Sequence, residues 1–372
     1  MRYAMIMAGG AGTRLWPLSR RDRPKQLLRF IHRNGSPPKS LLELAAQRLE
    51  GLVEPDHRLI CTGEEYRKAV LEALPQFEDR HLLGEPVGRD TLNAVGLAAV
   101  VLEKRDPDAI FAVLTADHII EPEDTFRERM ALGFRLVEQD PTRLVTFSIK
   151  PTYPATGYGY CERGAPINGV EGAARDGEPL AYRVVRFIEK PDLYRAQVYV
   201  ESGMFGWNSG MFVFHAGTIL KCLERFKPEA CAGLRRIQEA WGTPRQAEVL
   251  REVYPSQPKI SVDYAIMEPA SRDREVAICT VQMDVTWLDV GSWPSYAQTL
   301  TPDVSGNRVS GDGIIANSRD SLIVNEVPGH TVAVLGGDGV IVVHTADATL
   351  VVPASRAQEI KDLQARLAER LR

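Results

Sequence analysis

Residues 1–12, MRYAMIMAGGAG, read as a short strand that stops at a glycine turn. Positions 3–7 are almost continuously apolar, as in a strand buried on both faces, and Gly9, Gly10 and Gly12 then end the run abruptly. A strand entering a glycine turn is an α/β opening, and the alternation continues downstream. Residues 40–52 (SLLELAAQRLEGL) place leucines at helical spacing, 58–62 (RLICT) form a second strand, and 64–74 are helix-like. Residues 93–102 and 124–138 read as helices, with strands at 110–114 and 143–149. The pattern predicts an α/β fold: a mostly parallel sheet covered by helices on both faces, with ligands near loops leaving the strands' carboxyl ends.

Two stretches break the rhythm. Residues 151–191 are rich in Gly, Pro, Tyr and charge, with a β-like run at 182–189, and read as an excursion overhanging the sheet. Residues 307–353 are short β-branched runs punctuated by Gly, Asp and Asn, which suits a small all-β module, a short solenoid of stacked coils. An amphipathic helix is expected at 358–371. The expected division is a catalytic domain at 1–300 and a small companion at 301–372, whose exposed apolar stripe suggests a homodimer.

Composition excludes several classes. Against 49 Asp+Glu stand 45 Lys+Arg, so the formal net charge of −4 offers no broad cationic field for nucleic acid. Any phosphate must therefore be met locally. The five cysteines lie scattered, with no C-x-x-C pair or Cys/His cluster, which fits a reducing compartment. No apolar run reaches about 18 residues, and the N-terminal apolar stretch is too short for a signal peptide, so a cytoplasmic protein without a membrane span is expected.

The strongest chemical signal is residues 9–27, GGAGTRLWPLSRRDRPKQL. Small residues at Gly9, Gly10 and Gly12 let backbone N–H groups approach a triphosphate, and Arg14 and Lys25 add positive charge beside them. The run matches neither a Walker A motif nor a dinucleotide fingerprint. A second signal, 114–118 (LTADH), puts Asp117 where a buried strand ends; alone it reads either as a Mg²⁺ ligand or as a turn carboxylate. His118 reads as a structural loop residue. A third, 287–293 (WLDVGSW), reads in isolation as a packed aromatic turn around Asp289 and Gly291.

On these motifs the chain resembles the nucleoside-diphosphate-sugar pyrophosphorylases, and within them the mannose-1-phosphate guanylyltransferase family. The resemblance covers essentially the whole chain. It implies the nucleotide-diphospho-sugar transferase fold: a Rossmann-like, mostly parallel mixed sheet sandwiched by helices, with a small left-handed β-helix-like C-terminal module and a terminal helix. It implies that Ala8, Gly9, Gly10, Gly12, Thr13, Arg14 and Lys25 bind the nucleotide, with Arg14, Lys25 and Asp117 catalytic, and that Asp117 and Asp289 hold Mg²⁺. The implied substrates are GTP and mannose 1-phosphate, and the implied products GDP-mannose and diphosphate.

The sugar side rests on three stretches. Residues 187–191 (FIEKP) place Glu189 and Lys190 after a β-like run, an arrangement equally common as plain surface chemistry. Asn208 and Ser209 follow Trp207, and 261–264 (SVDY) add Asp263 behind a candidate N-cap, Ser261. By resemblance Glu189, Lys190, Asn208, Ser209 and Asp263 bind the sugar phosphate, and Gly157 and Tyr158 lie over the sugar. For the base and ribose, 85–91 (EPVGRDT) supply Glu85, Arg89, Asp90 and Thr91. The family's usual alanine-proline continuation is replaced by Leu92-Asn93, where the asparagine either adds a hydrogen-bonding group or starts the next helix.

Rival readings keep the chemistry and change the pair, such as glucose 1-phosphate with UTP or dTTP or a heptose phosphate with GTP, or make the chain a catalytically silent sugar-nucleotide sensor. Both metal carboxylates and both phosphate cations are present, which argues against the sensor. No cupin-type isomerase domain is expected after residue 301.

Overall fold

The protein is described from a computed structural model, covering every residue except 11, 34, 35, 365 and 372. The chain forms two compact units, one of Met1–Gly9, Ala45–Ala116 and Ile120–Trp287, the other of Gly10–Leu44, Asp117–Ile119 and Leu288–Arg372.

The first unit is built on a nine-stranded sheet. Its strands are β1 (Arg2–Met7), β2 (Arg58–Gly63), β3 (Leu82–Glu85), β4 (Ile110–Thr115), β5 (Arg143–Ile149), β6 (Tyr160–Pro166), β7 (Ala181–Ile188), β8 (Phe205–His215) and β9 (Ala277–Gln282). They lie in the order β3-β2-β1-β4-β8-β5-β9-β7-β6. Only β7 and β8 run against the others, so the sheet is mixed with a dominant direction.

Both faces are covered, which explains why β1 and β4 carry apolar residues at nearly every position. On one face Tyr3, Met5, Phe111 and Val113 pack with the helix Asp90–Arg105 and its neighbours Ala216–Phe226 and Pro228–Ala240. On the other the helix Glu123–Gln139 approaches closely at Gly133, where a Cβ would come 2.6 Å from Phe147 and 3.2 Å from Val213. Residues 151–191 differ from expectation: β6 and β7 are bonded into the sheet at its edge, while the small hairpin Ala174–Arg175/Glu178–Pro179 and the connecting turns lie outside it. Of the two edge strands, only the 182–189 run was expected as β-like, and its pattern did not say which neighbours would receive it.

The second unit has its own core, in which Leu15, Trp16, Val290 and Trp293 cluster with Leu322, Ile341 and Val343. In its C-terminal part Arg308–Ser310, Leu322–Asn325 and Val340–His344 stack in parallel, as do Gly313–Ala316 and Val332–Leu335, giving the coils expected of a solenoid. The terminal segment is helical only in pieces, a 3₁₀ stretch Ala354–Glu359, an α turn Ile360–Gln364 and a 3₁₀ turn Glu369–Leu371; Ala365, inside the expected helix, lies outside the described residues. All five cysteines are buried. Among the described residues no helix is long and apolar enough to cross a membrane.

Candidate active site

Within the second unit, five of the expected site residues, Gly12, Arg14, Lys25, Asp117 and Asp289, are held together. Gly12 adopts φ +59 and caps the 3₁₀ turn Thr13–Leu15, and its carbonyl accepts from Ser19 Oγ at 2.6 Å. It cannot be larger: a Cβ would fall 2.5 Å from Lys25 Cβ in a conformation that disfavours side chains. Lys25, itself buried, therefore runs against the glycine turn and delivers Nζ to Asp117 Oδ2 at 2.7 Å. Arg14 donates from Nη1 to Gln358 Oε1 at 2.8 Å. At Gly291 a Cβ would meet Arg14 Nη2 and Asp289 Oδ1, each at 3.3 Å, so the missing side chain leaves room for both groups.

The two aspartates are brought together by the backbone. The amide of Val290 donates to the Asp117 carbonyl at 3.0 Å, fixing 289–290 beside 117. Trp293 seats this turn by burying its ring and donating Nε1 to the Trp16 carbonyl at 2.9 Å, while Ser292 and Ser295 form a capping box. Asp117, His118 and Asp289 each offer a ligand atom, and these atoms lie within 4.8 Å of one another. Two carboxylates and an imidazole at this spacing fit a divalent cation. Burial works to raise the Asp117 carboxyl, but the charges of Lys25 and His118 and the Lys25 hydrogen bond outweigh it and hold the group well below the usual range. Sequence reasoning set His118 aside; its place in this cluster is visible only once the 287–293 turn is folded beside it.

The first unit holds the remaining candidates in two groups. Around Glu85, Gly9 lies close enough that a Cβ would be 3.5 Å from Oε2, and Oε1 accepts from Tyr254 OH at 2.6 Å. Burial raises the Glu85 carboxyl, opposed by hydrogen bonds from Tyr254, Cys61 and the Arg89 amide. Ala8 is tied on both sides, its N–H to the Cys61 carbonyl at 2.8 Å and its own carbonyl to Thr62 Oγ1 at 3.0 Å. Arg89 donates to the Pro255 carbonyl, Asp90 caps the Thr91 amide at 2.8 Å, and Thr91 Oγ1 accepts from the Val262 amide at 2.9 Å. Asn93 sits inside the helix Asp90–Arg105, fully buried, with Nδ2 donating to the carbonyls of Arg89 at 2.9 Å and Pro258 at 2.7 Å. Its amide hydrogens are thus engaged in the chain's own packing.

The second group centres on Asn208, which accepts from Thr146 Oγ1 at 2.7 Å and donates to Asp263 Oδ1 at 2.8 Å. Glu189 Oε1 faces Lys190 Nζ at 3.2 Å, and Lys190 takes φ +47, an uncommon conformation for a non-glycine residue. Burial first, then the nearby Asp263 charge, push Glu189 up to about 7 despite Lys190. Burial likewise raises Asp263, against its hydrogen bond from Asn208. Glu189 Oε2 is buried without a hydrogen-bond partner and occupies the space a Cβ of Gly159 would need, 2.5 Å away. Gly159 was not singled out in the sequence, although it sits in the ATGYGY run. Gly157 has open space about it, Tyr158 packs edge-on against Trp207 and Trp287 at 5.3 and 5.0 Å, and Ser209 Oγ accepts from the Met211 amide at 3.3 Å.

The profile of the Nucleotidyl transferase family matches residues 3–304, and that of the MannoseP isomerase/GMP-like beta-helix domain matches 311–367. A mannose-1-phosphate guanylyltransferase of Klebsiella pneumoniae is 38% identical over 97% of this chain and 73% of its own length. One from Escherichia coli strain K12 is 36% identical over 96% and 72%. A crystal structure from Thermus thermophilus, described as a mannose-1-phosphate geranyltransferase, superposes with a TM-score of 0.82 at 32% identity over 98% of both chains. The chain belongs to the nucleotidyl transferase family, in its mannose-1-phosphate guanylyltransferase branch.

Proposed function

We propose that the chain joins GTP to mannose 1-phosphate, forming GDP-mannose and releasing diphosphate with Mg²⁺. The reading is carried by one observation: Lys25 is bonded to an aspartate whose backbone is tied to the turn bearing a second aspartate, with Arg14 alongside. In the reaction a phosphate oxygen of mannose 1-phosphate attacks the α-phosphorus of GTP, and the bond from that phosphorus to the bridging α–β oxygen breaks. A phosphate monoester is already anionic near neutral pH, so alignment and charge stabilisation are what the chain must supply.

Asp117 and Asp289 would hold the divalent cation, which when bound neutralises charge on the departing diphosphate. Lys25 and Arg14 are assigned to the transferring phosphate. Ala8, Gly9, Gly10, Gly12, Thr13, Glu85, Arg89, Asp90 and Thr91 are assigned to the nucleotide. Lys190 is assigned to the incoming phosphate, and Glu189, Asn208, Ser209, Asp263, Gly157 and Tyr158 to the sugar. In this reading 1–300 form the transferase domain, 301–372 the β-helix-like companion, and the protein acts as a cytoplasmic homodimer.

The test is diphosphate release by purified protein. Release should require GTP, mannose 1-phosphate and Mg²⁺ together, with GDP-mannose identified by mass. Release with UTP or dTTP and glucose 1-phosphate instead would transfer the assignment to another pair. GDP-mannose binding without turnover of any pair would make the chain a sensor.

A further inference from the structure

We infer that His118 is a third ligand of the cation site formed by Asp117 and Asp289, and that its imidazole biases the site toward cations that accept nitrogen, such as Co²⁺, over Mg²⁺. The inference rests on the nucleotidyl-transfer reading only for the purpose of the site.

The geometry is that of groups facing a common point. His118 Nε2 lies 3.6 Å from Asp117 Oδ1. That is too long for a hydrogen bond, yet two metal bonds of roughly 2.1 Å meeting at one cation leave their donor atoms roughly 3 to 4 Å apart. The Asp117 carboxylate divides its oxygens accordingly, Oδ2 accepting from Lys25 and Oδ1 lying toward the imidazole. The Asp289 ligand atom falls within the same 4.8 Å cluster. His118 is buried at the start of the strand His118–Glu121, so its ring is fixed beside Asp117.

The donor set decides the preference. Mg²⁺ takes oxygen ligands and keeps its waters, so an imidazole adds little to its binding. For an imidazole-containing site affinity rises from Mn²⁺ through Co²⁺ to Ni²⁺. A site of two carboxylates and one imidazole therefore discriminates among divalent ions in a way that two carboxylates alone do not.

The experiment uses the full chain without nucleotide, titrated calorimetrically with Co²⁺ or Mg²⁺, as wild type and as His118→Gln. Wild type is expected to bind Co²⁺ at least about tenfold more tightly than Mg²⁺, and His118→Gln to lose about tenfold for Co²⁺ with less than about threefold change for Mg²⁺. Asp117→Ala should abolish the tight Co²⁺ isotherm, tying it to this site. An unchanged Co²⁺ to Mg²⁺ ratio in His118→Gln overturns the inference. Should that variant fail to fold, pulsed electron paramagnetic resonance of the Mn²⁺-loaded wild type decides: directly bound ¹⁴N coupling supports the ligand, and its absence overturns it. Nitrogen coupling in a protein that releases no diphosphate would uphold His118 while removing the transferase reading; the reverse result would do the opposite.

Discussion

Lys25 Nζ and Asp117 Oδ2, 92 residues apart in sequence, meet at 2.7 Å with the lysine side chain only 11% exposed. The pair forms because Gly12 lacks a side chain, which lets the Lys25 stem pass the glycine turn. An ammonium so placed is fixed before any substrate arrives, and preorganised charge is what stabilises a transferring phosphate.

Lys25→Met should therefore lower turnover by about 10² or more, since the charge is lost while the packing of the stem is kept. Asp117 would then lose its largest favourable charge partner. Steady-state kinetics on the variant check this, and a rate within a few-fold of wild type would remove Lys25 from the chemistry.

Asn93 bears on a question that the sequence left open. Both amide hydrogens of the buried Asn93 are spent on the Arg89 and Pro258 carbonyls, so Asn93→Ala should destabilise the fold by about 1–3 kcal/mol through the loss of two part-buried hydrogen bonds. The ratio of GTP to UTP turnover should stay as in wild type. Urea melts and a two-nucleotide assay test the two halves; altered discrimination with unchanged stability would reverse the assignment.

Glu189 sets a pH dependence. Its folded value, about 7, stands above the ordinary glutamate value of about 4.3, so the folded state favours the protonated acid. That contribution is complete below about pH 4 and is lost as pH rises through about 7. Glu189→Gln, which cannot ionise, should gain stability relative to wild type between about pH 5 and about pH 8. Equal stability differences at the two pH values would show that the carboxyl is not held protonated.

Gln358 holds one arm of Arg14 at 2.8 Å across 344 residues of sequence. Gln358→Ala should lower kcat/KM for the nucleotide by about two- to tenfold, the worth of one hydrogen bond of about 0.5–1.5 kcal/mol. Gln358→Glu should retain most of the rate because its carboxylate still accepts from Arg14. If both variants match wild type, the contact has no part in placing the guanidinium.

Much of the frame was legible because the central strands are short, doubly buried and bounded by glycine or charge; 143–149 matches β5 end to end. Pairing was less legible. Residues 160–166 and 181–188 close the sheet edge through antiparallel partners that local periodicity does not name. The terminal helix broke up for a different reason: a short amphipathic run gains little from propensity alone, and here Leu371 presents its carbonyl to Trp16 Nε1 at 2.7 Å. Among site residues, Lys25 stood out in its glycine-loop motif, whereas Asp117 read equally as a turn carboxylate and Asp289 as part of a packed aromatic turn, and the family resemblance alone marked both as metal ligands. Gly159 and His118 did not stand out, since their significance depends on what long-range folding sets against them.

The enclosure of Cys61, Cys161, Cys222, Cys231 and Cys279 reaches beyond architecture. Burial raises every one of these thiols, so each keeps its proton and lies away from solvent. The native surface is thereby silent toward maleimides, and a single cysteine introduced on an exposed loop would accept a fluorophore at that one address, turning the molecule into its own reporter of movement during a catalytic cycle.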